Sequence, residues 1–348
     1  MTTLEFHPPK GFQDGLVERL ENRRTPAEIL SARAPLRPDQ RAALWRLLAN
    51  APQAVVVVPP ALKTPPHLRD HLNYITRAGA LTLRDESDLP LKGAKQIDEM
   101  IEDWRCADRL DSRRRINSPI ARQFVLGGPP GASPQSVEAA AALHLGRLHG
   151  PGHPFVRVTH TDTNHPHVHA VVRVLGRDRR RLTLYHQDLA IYRESYARAL
   201  RDVGVDADAS PRWMRGRPGR GPTAGHWRSR AHFVEHGGNA PRWMEAQYLY
   251  AAQFAFRADL PADDRELKVL ASQGRLRRSF LDLASRLAKS PEDADRQLGL
   301  AIVDHVRALP PPETERMQLS RQMRTTHRGA ERSDRAVAPT SPAHERRR

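Results

Sequence analysis

Cysteine, aromatic side chains and long apolar runs are what this sequence has least of. Its 348 residues include one cysteine, and aromatics make up 5%. The lone Cys106 excludes an intramolecular disulfide and suits a reducing compartment, so a cytoplasmic location is expected. No apolar stretch approaches the roughly 18 residues of a membrane-spanning helix, so membrane insertion is not expected. Met1 to Pro9 lack the apolar segment of a secretory leader. What is plentiful is positive charge: 56 Lys and Arg against 40 Asp and Glu leave a formal +16. That balance points to a polyanionic partner, with Arg113–Arg115 and Arg179–Arg181 as basic clusters within it. A genomic bias inflating Arg, Ala and Pro together is the competing explanation. Hydrophobic residues (39%) suffice for a core, and the length suggests about two domains.

The densest chemistry lies in Thr159–Val174, which holds His160, Asp162, His165, His167 and His169 around Pro166. Apolar β-branched residues flank a turn-forming centre, which predicts a β-hairpin with strands over 155–160 and 167–174. Alternation puts Val168, Ala170, Val172 and Val174 into a core and His167 and His169 on the other face. If His160 pairs opposite His167, His169 is its diagonal neighbour, at roughly 7–8 Å. Three imidazoles then converge where one divalent cation would bridge them, with Asp162 placed to hold one ring in its tautomer. A histidine-rich surface hairpin without a ligand is the plainer reading.

Elsewhere the pattern is mostly helical. Residues 1–50 read as a helical N-terminal extension, with a capping box at Thr25-Pro26-Ala27-Glu28 and a helix from about Pro38. Ala54–Val58 reads as a central strand. Thr64-Pro65 then starts a helix to Ala78, with Gly79 as its left-handed stop and Leu68, Leu72 and Ile75 as its buried stripe. Tyr74 lies beside that stripe, and taken alone it is a packing residue. A helix is expected between Lys95 and Leu110. Phe124–Leu126 reads as a strand that leads into Gly127-Gly128-Pro129-Pro130-Gly131 and a helix from Ser133-Pro134. Such a turn leaves backbone N–H groups for a phosphate, although many hold nothing. Arg181–Tyr185 is a candidate fifth strand, and Asp188–Val203 an amphipathic helix. Tyr185, Tyr192 and Tyr196 compete as nucleophiles, but the spacing of the last two places them in the core. Arg212–Gly221 reads as a linker, 225–308 as helical, and 309–348 as a disordered basic tail.

Two segments resemble a known family. Leu72-Asn73-Tyr74-Ile75-Thr76-Arg77, followed by Gly79, is similar to the tyrosine motif of mobilisation-type conjugative relaxases and T-DNA border endonucleases. His160-Thr161-Asp162-Thr163-Asn164-His165-Pro166-His167-Val168-His169 resembles their three-histidine motif. The likeness covers roughly 53–220, within an expected nuclease domain of 51–220. It implies an α+β nuclease fold of the His-hydrophobe-His (HUH) kind: a central antiparallel five-stranded sheet flanked by helices, with helical extensions at both ends. It implies that Tyr74 attacks a DNA phosphodiester and becomes joined to the 5′ phosphate. His160, His167 and His169 would bind Mg²⁺ or Mn²⁺, with Asp162 orienting His160, which is also a candidate base. Relatives carry a serine where this chain has Gly127-Gly128, so backbone amides there, with Gly131, Arg77 and Arg173, are the expected DNA contacts. The implied partners are single-stranded or supercoiled origin-of-transfer DNA, a relaxosome accessory protein and a type IV coupling protein, with translocation alongside the DNA. A rolling-circle replication initiator, a zinc hydrolase and a non-catalytic metal-containing DNA-binding protein are the other readings. The initiator is disfavoured because Tyr74 precedes the histidines.

Overall fold

A computed structural model of the chain describes residues 30, 35–162, 165–185, 188–216, 224–257 and 263–337. The capping box at Thr25 lies outside them. The chain divides into two compact units, residues 1–210 and 211–348. In the first, strands β1 (Val55–Val57), β2 (Leu83–Asp85), β3 (Pro90–Leu91), β4 (Ala121–Gly127), β5 (Phe155–His160) and β6 (His167–Arg173) form one sheet in the order β1-β4-β6-β5-β2-β3. Every pairing is antiparallel.

Alternation along β5 and β6 sorts the side chains into two cores. Phe155, Val168, Ala170 and Val172 pack with α4 (Pro134–Leu148) and α5 (Asp188–Asp202) on one face. Val156, Val158 and Val171 pack with α2 (Pro65–Ile75) and α3 (Gly93–Arg109) on the other. His160, His167 and His169 share the parity of this second set. The histidine face is therefore the face that α2 covers. A further helix, α1 (Pro38–Leu48), is the described part of the N-terminal helical extension; it buries Leu44 and Leu47 fully and belongs to the same unit as the sheet.

Three expectations need correcting. The run Ala54–Val58 forms an edge strand, and Val55 and Val57 keep nearly half their surface exposed (45% and 48%). Arg181–Tyr185 forms no strand beyond a single bridge, Leu175 to Arg181; the sheet instead gains β2 and β3, too short and too charged for periodicity to reveal. Helix α2 ends at Ile75, not Ala78, because Arg77 and Ala78 both take left-handed backbone (φ 53° and 54°) ahead of Gly79.

The second unit is helical: α6 (Ala224–His236), α7 (Arg242–Phe256), α8 (Asp264–Leu287), α9 (Asp293–Ala308) and α10 (Glu315–Val337). Helix α10 occupies most of the stretch expected to be disordered. Its anchor is Arg316, which pairs in a buried position with Glu266 and lies over the rings of Tyr250 (4.4 Å) and Phe254 (4.2 Å). Ser320 adds a bond to the Ala251 carbonyl (2.7 Å). No described helix is long and apolar enough to cross a membrane.

Candidate active site

β5 and β6 pair with His160 opposite His167, the register predicted from the sequence. The three rings converge, with centroids 5.1 Å apart for His160–His167, 4.5 Å for His160–His169 and 5.1 Å for His167–His169. One nitrogen of each lies within 4.8 Å of the others. The tautomers of two rings follow from their hydrogen bonds. His160 Nε2 donates to the Ile75 carbonyl (2.6 Å), and His167 Nδ1 donates to the His165 carbonyl (3.0 Å). In the neutral form of each ring that bond uses the one N–H and leaves the other nitrogen with a lone pair. Burial, then the neighbouring rings of His160 and His167, push His169 down to about 3, so it is neutral at pH 7. Three converging imidazoles, two of them held by carbonyls, are a donor set that fits a divalent metal.

The same bond to Ile75 brings α2 to the cluster. Tyr74 lies on the last turn of that helix, adjacent to the carbonyl that His160 engages, and is 62% exposed. The left-handed turn beyond it aims Arg77 back over the site. Its guanidinium carbon sits 5.5 Å from the Tyr74 ring centre, and its Nη2 meets Asp162 at 2.5 Å. Asp162 is thus the partner of Arg77, whose charge lowers its pKa; a backbone carbonyl orients His160 instead. His165 contributes its carbonyl to the cluster and holds its side chain outside it.

Residues 74–204 match the relaxase family, MobA/VirD2-like nuclease domain. Residues 74–204 are thereby assigned to the relaxase family. The match begins at Tyr74, near the end of α2, and takes in the histidine hairpin; it makes this domain a DNA-binding, DNA-nicking module of the endonuclease class. No curated protein matches the chain.

Around the relaxase site, several residues expected to touch DNA have other occupations. Gly127 lies in the ladder between β1 and β6, and Gly128 donates its N–H to the Pro166 carbonyl (3.1 Å). A Cβ on Gly128 would come within 2.3 Å of Val137, so this glycine serves the close approach of α4. Gly131 is exposed, with φ 81°. Arg173 shares the strand parity of His169 but lies four residues, about 13 Å, further along β6. It is buried, bonded to the Leu175 carbonyl (2.8 Å) and paired with Asp103 (3.5 Å). Part of the basic clusters is engaged by buried carboxylates, Arg114 and Arg181 by Asp108 and Arg113 and Arg181 by Asp111, while Arg115, Arg179 and Arg180 are exposed. Tyr192 and Tyr196 are fully buried, and burial raises both well above the usual phenol range; Tyr185 is exposed. One residue escaped the sequence reading. His71 lies one turn before Ile75 on α2, and its position three residues from Tyr74 was the available signal.

Proposed function

We propose that this relaxase nicks one DNA strand by transesterification onto Tyr74. The observation that carries the reading is the hydrogen bond from His160 to Ile75, which sets an exposed tyrosine beside a three-histidine cluster. The Tyr74 hydroxyl oxygen forms a bond to phosphorus as the bond to the 3′ oxygen breaks. The phenol proton passes to solvent, and the released 3′ oxygen takes one up. A phosphodiester is exchanged for a phosphodiester, so no nucleotide cofactor is consumed and the step runs backwards to reseal the strand. Arg77, held by Asp162 over Tyr74, supplies positive charge to the phenolate and to the phosphate. Gly131 and the exposed N-terminal end of α4 supply a further backbone contact to the DNA. Mg²⁺ or Mn²⁺ held by His160, His167 and His169 would polarise a non-bridging oxygen. The carbonyl on His160 Nε2 favours a ligand role for this residue over that of base.

In this reading the substrate is origin-of-transfer DNA of a conjugative or mobilisable element. A relaxosome accessory protein and a type IV coupling protein are its partners. The test incubates the protein with Mg²⁺ and single-stranded oligonucleotides tiled across such an origin and looks for SDS-resistant adducts. Tyr74→Phe should lose nicking and adduct while retaining DNA binding. Cleavage by that variant at the wild-type rate would refute the assignment and move it to Tyr185.

A further inference from the structure

Two of the three histidines have a visible device fixing ring orientation, and the third does not. His160 is held by the Ile75 carbonyl and His167 by the His165 carbonyl. Among the described residues, no hydrogen bond reaches the ring of His169. Metal-binding histidines almost always donate their second ring N–H to an acceptor, and losing it typically costs 10–100-fold in affinity. An acceptor for His169 is therefore missing from the set.

His71 has the complementary deficit. Its Nε2 is buried without a hydrogen-bond partner. It lies on α2 one turn from Ile75, on the face that also carries buried Leu68 and Leu72 against the sheet. Helix geometry stacks residues four apart, so a side chain at 71 lies next to the side of α2 at which Ile75 meets His160. The two rings are also close enough for His71 to disfavour charge on His169, although burial and the other two rings weigh more. An orphaned buried nitrogen and a ring with no hydrogen bond thus lie near one another on the face of the sheet that α2 covers.

We propose that His71 is the positioning residue of His169: its Nε2 lone pair accepts the His169 N–H that points away from the ligand cluster, directly or through one water. This rests on the metal-site reading above. It gives α2 three roles at one site, with His71, Tyr74 and the Ile75 carbonyl spaced over little more than one turn. His71 donates nothing to the reaction and touches neither DNA nor metal.

The experiment measures Mn²⁺ binding to the full chain by calorimetry, without DNA, for wild type, His71→Ala, His71→Gln and His167→Ala. The Gln amide oxygen falls near the place of Nε2 and accepts a hydrogen bond, whereas Ala offers nothing. The expected result is a loss of about 10–100-fold in affinity for His71→Ala and recovery to within a few-fold for His71→Gln. A residue that merely packs would shift the melting temperature of the metal-free protein and leave Mn²⁺ affinity unchanged. Unchanged affinity in His71→Ala, or equal losses in the Ala and Gln variants, overturns the proposal. If wild type binds no Mn²⁺, or His167→Ala binds as well as wild type, it is the metal-site reading that fails.

Discussion

Acid should destabilise the relaxase domain well before its carboxylates are protonated, because two histidines are sealed in its core as neutral rings. His144 bonds Ser195 Oγ through Nδ1 (3.0 Å), and His149 meets the Tyr192 hydroxyl through Nε2 (3.2 Å). Burial pushes His144 down from 6.5 to about 3, and burial, then His153 and His144, push His149 well below its ordinary value. In the unfolded chain both rings protonate near pH 6.5, while in the fold they stay neutral. Below pH 6.5 the unfolded state therefore binds more protons and stability falls with pH, levelling off only below the folded-state values. Between pH 6.5 and 5 His144 costs about 2 kcal/mol at 1.36 kcal/mol per unit, and His149 adds a loss of the same sign. Against a typical 5–15 kcal/mol, that is a large share. Urea titrations at pH 7.5, 6 and 5 read it out, and His144→Asn, which keeps an acceptor near Nδ1, should lose about 2 kcal/mol less over the same interval. A wild-type loss below about 1 kcal/mol would refute the assignment of these rings as neutral and sealed.

Other outcomes follow from single contacts. Gly128→Ala should destabilise the relaxase domain by about 1–3 kcal/mol in thermal melts, since its Cβ would sit 2.3 Å from a Val137 methyl that α4 holds in place. His165→Ala should change Mn²⁺ affinity little, because the contribution of His165 is a backbone carbonyl, whereas His169→Ala should weaken binding at least about tenfold. Arg316→Ala should cost the helical unit about 3–5 kcal/mol by leaving Glu266 buried and unpaired, measured as an earlier unfolding transition of residues 211–348 by hydrogen exchange.

The histidine hairpin was legible because a strand has a period of two, and His167 and His169 with Val168 between them satisfy it in three residues. Its register needed only one assumption, the pairing of His160 with His167. Contacts between elements distant in sequence were not legible. Nothing local marks Ile75 as the acceptor for a histidine 85 positions away, and Asp162 looked like its natural partner because it is near in sequence. Arg77 captures Asp162 only because two non-glycine residues adopt left-handed backbone, while the sequence draws the eye to Gly79. Helix α10 was missed for a similar reason. Its composition reads as a solvated tail, and what orders it is Glu266, 50 residues earlier.

The end of α2 shows why the proposed nucleophile, Tyr74, and the histidine cluster form one device. The last carbonyls of a helix have no partner within it and need one elsewhere. Here the Leu72 carbonyl takes the Thr76 N–H, Asn73 takes Ala78, and Tyr74 takes Arg77 (2.9, 2.8 and 3.3 Å). The Ile75 carbonyl is the one engaged by a side chain from the sheet, that of His160. Satisfying the helix terminus and orienting a histidine of the cluster are then the same hydrogen bond. The left-handed turn at Arg77 and Ala78 closes the helix early enough to leave that carbonyl for His160, where a continued helix would have claimed it for Gly79. Backbone strain of roughly 1–2 kcal/mol per left-handed residue is the cost of that early stop. A change that extends α2 by a turn therefore removes the acceptor of His160, withdraws Arg77 from Asp162 and redirects Tyr74 together, without touching a histidine.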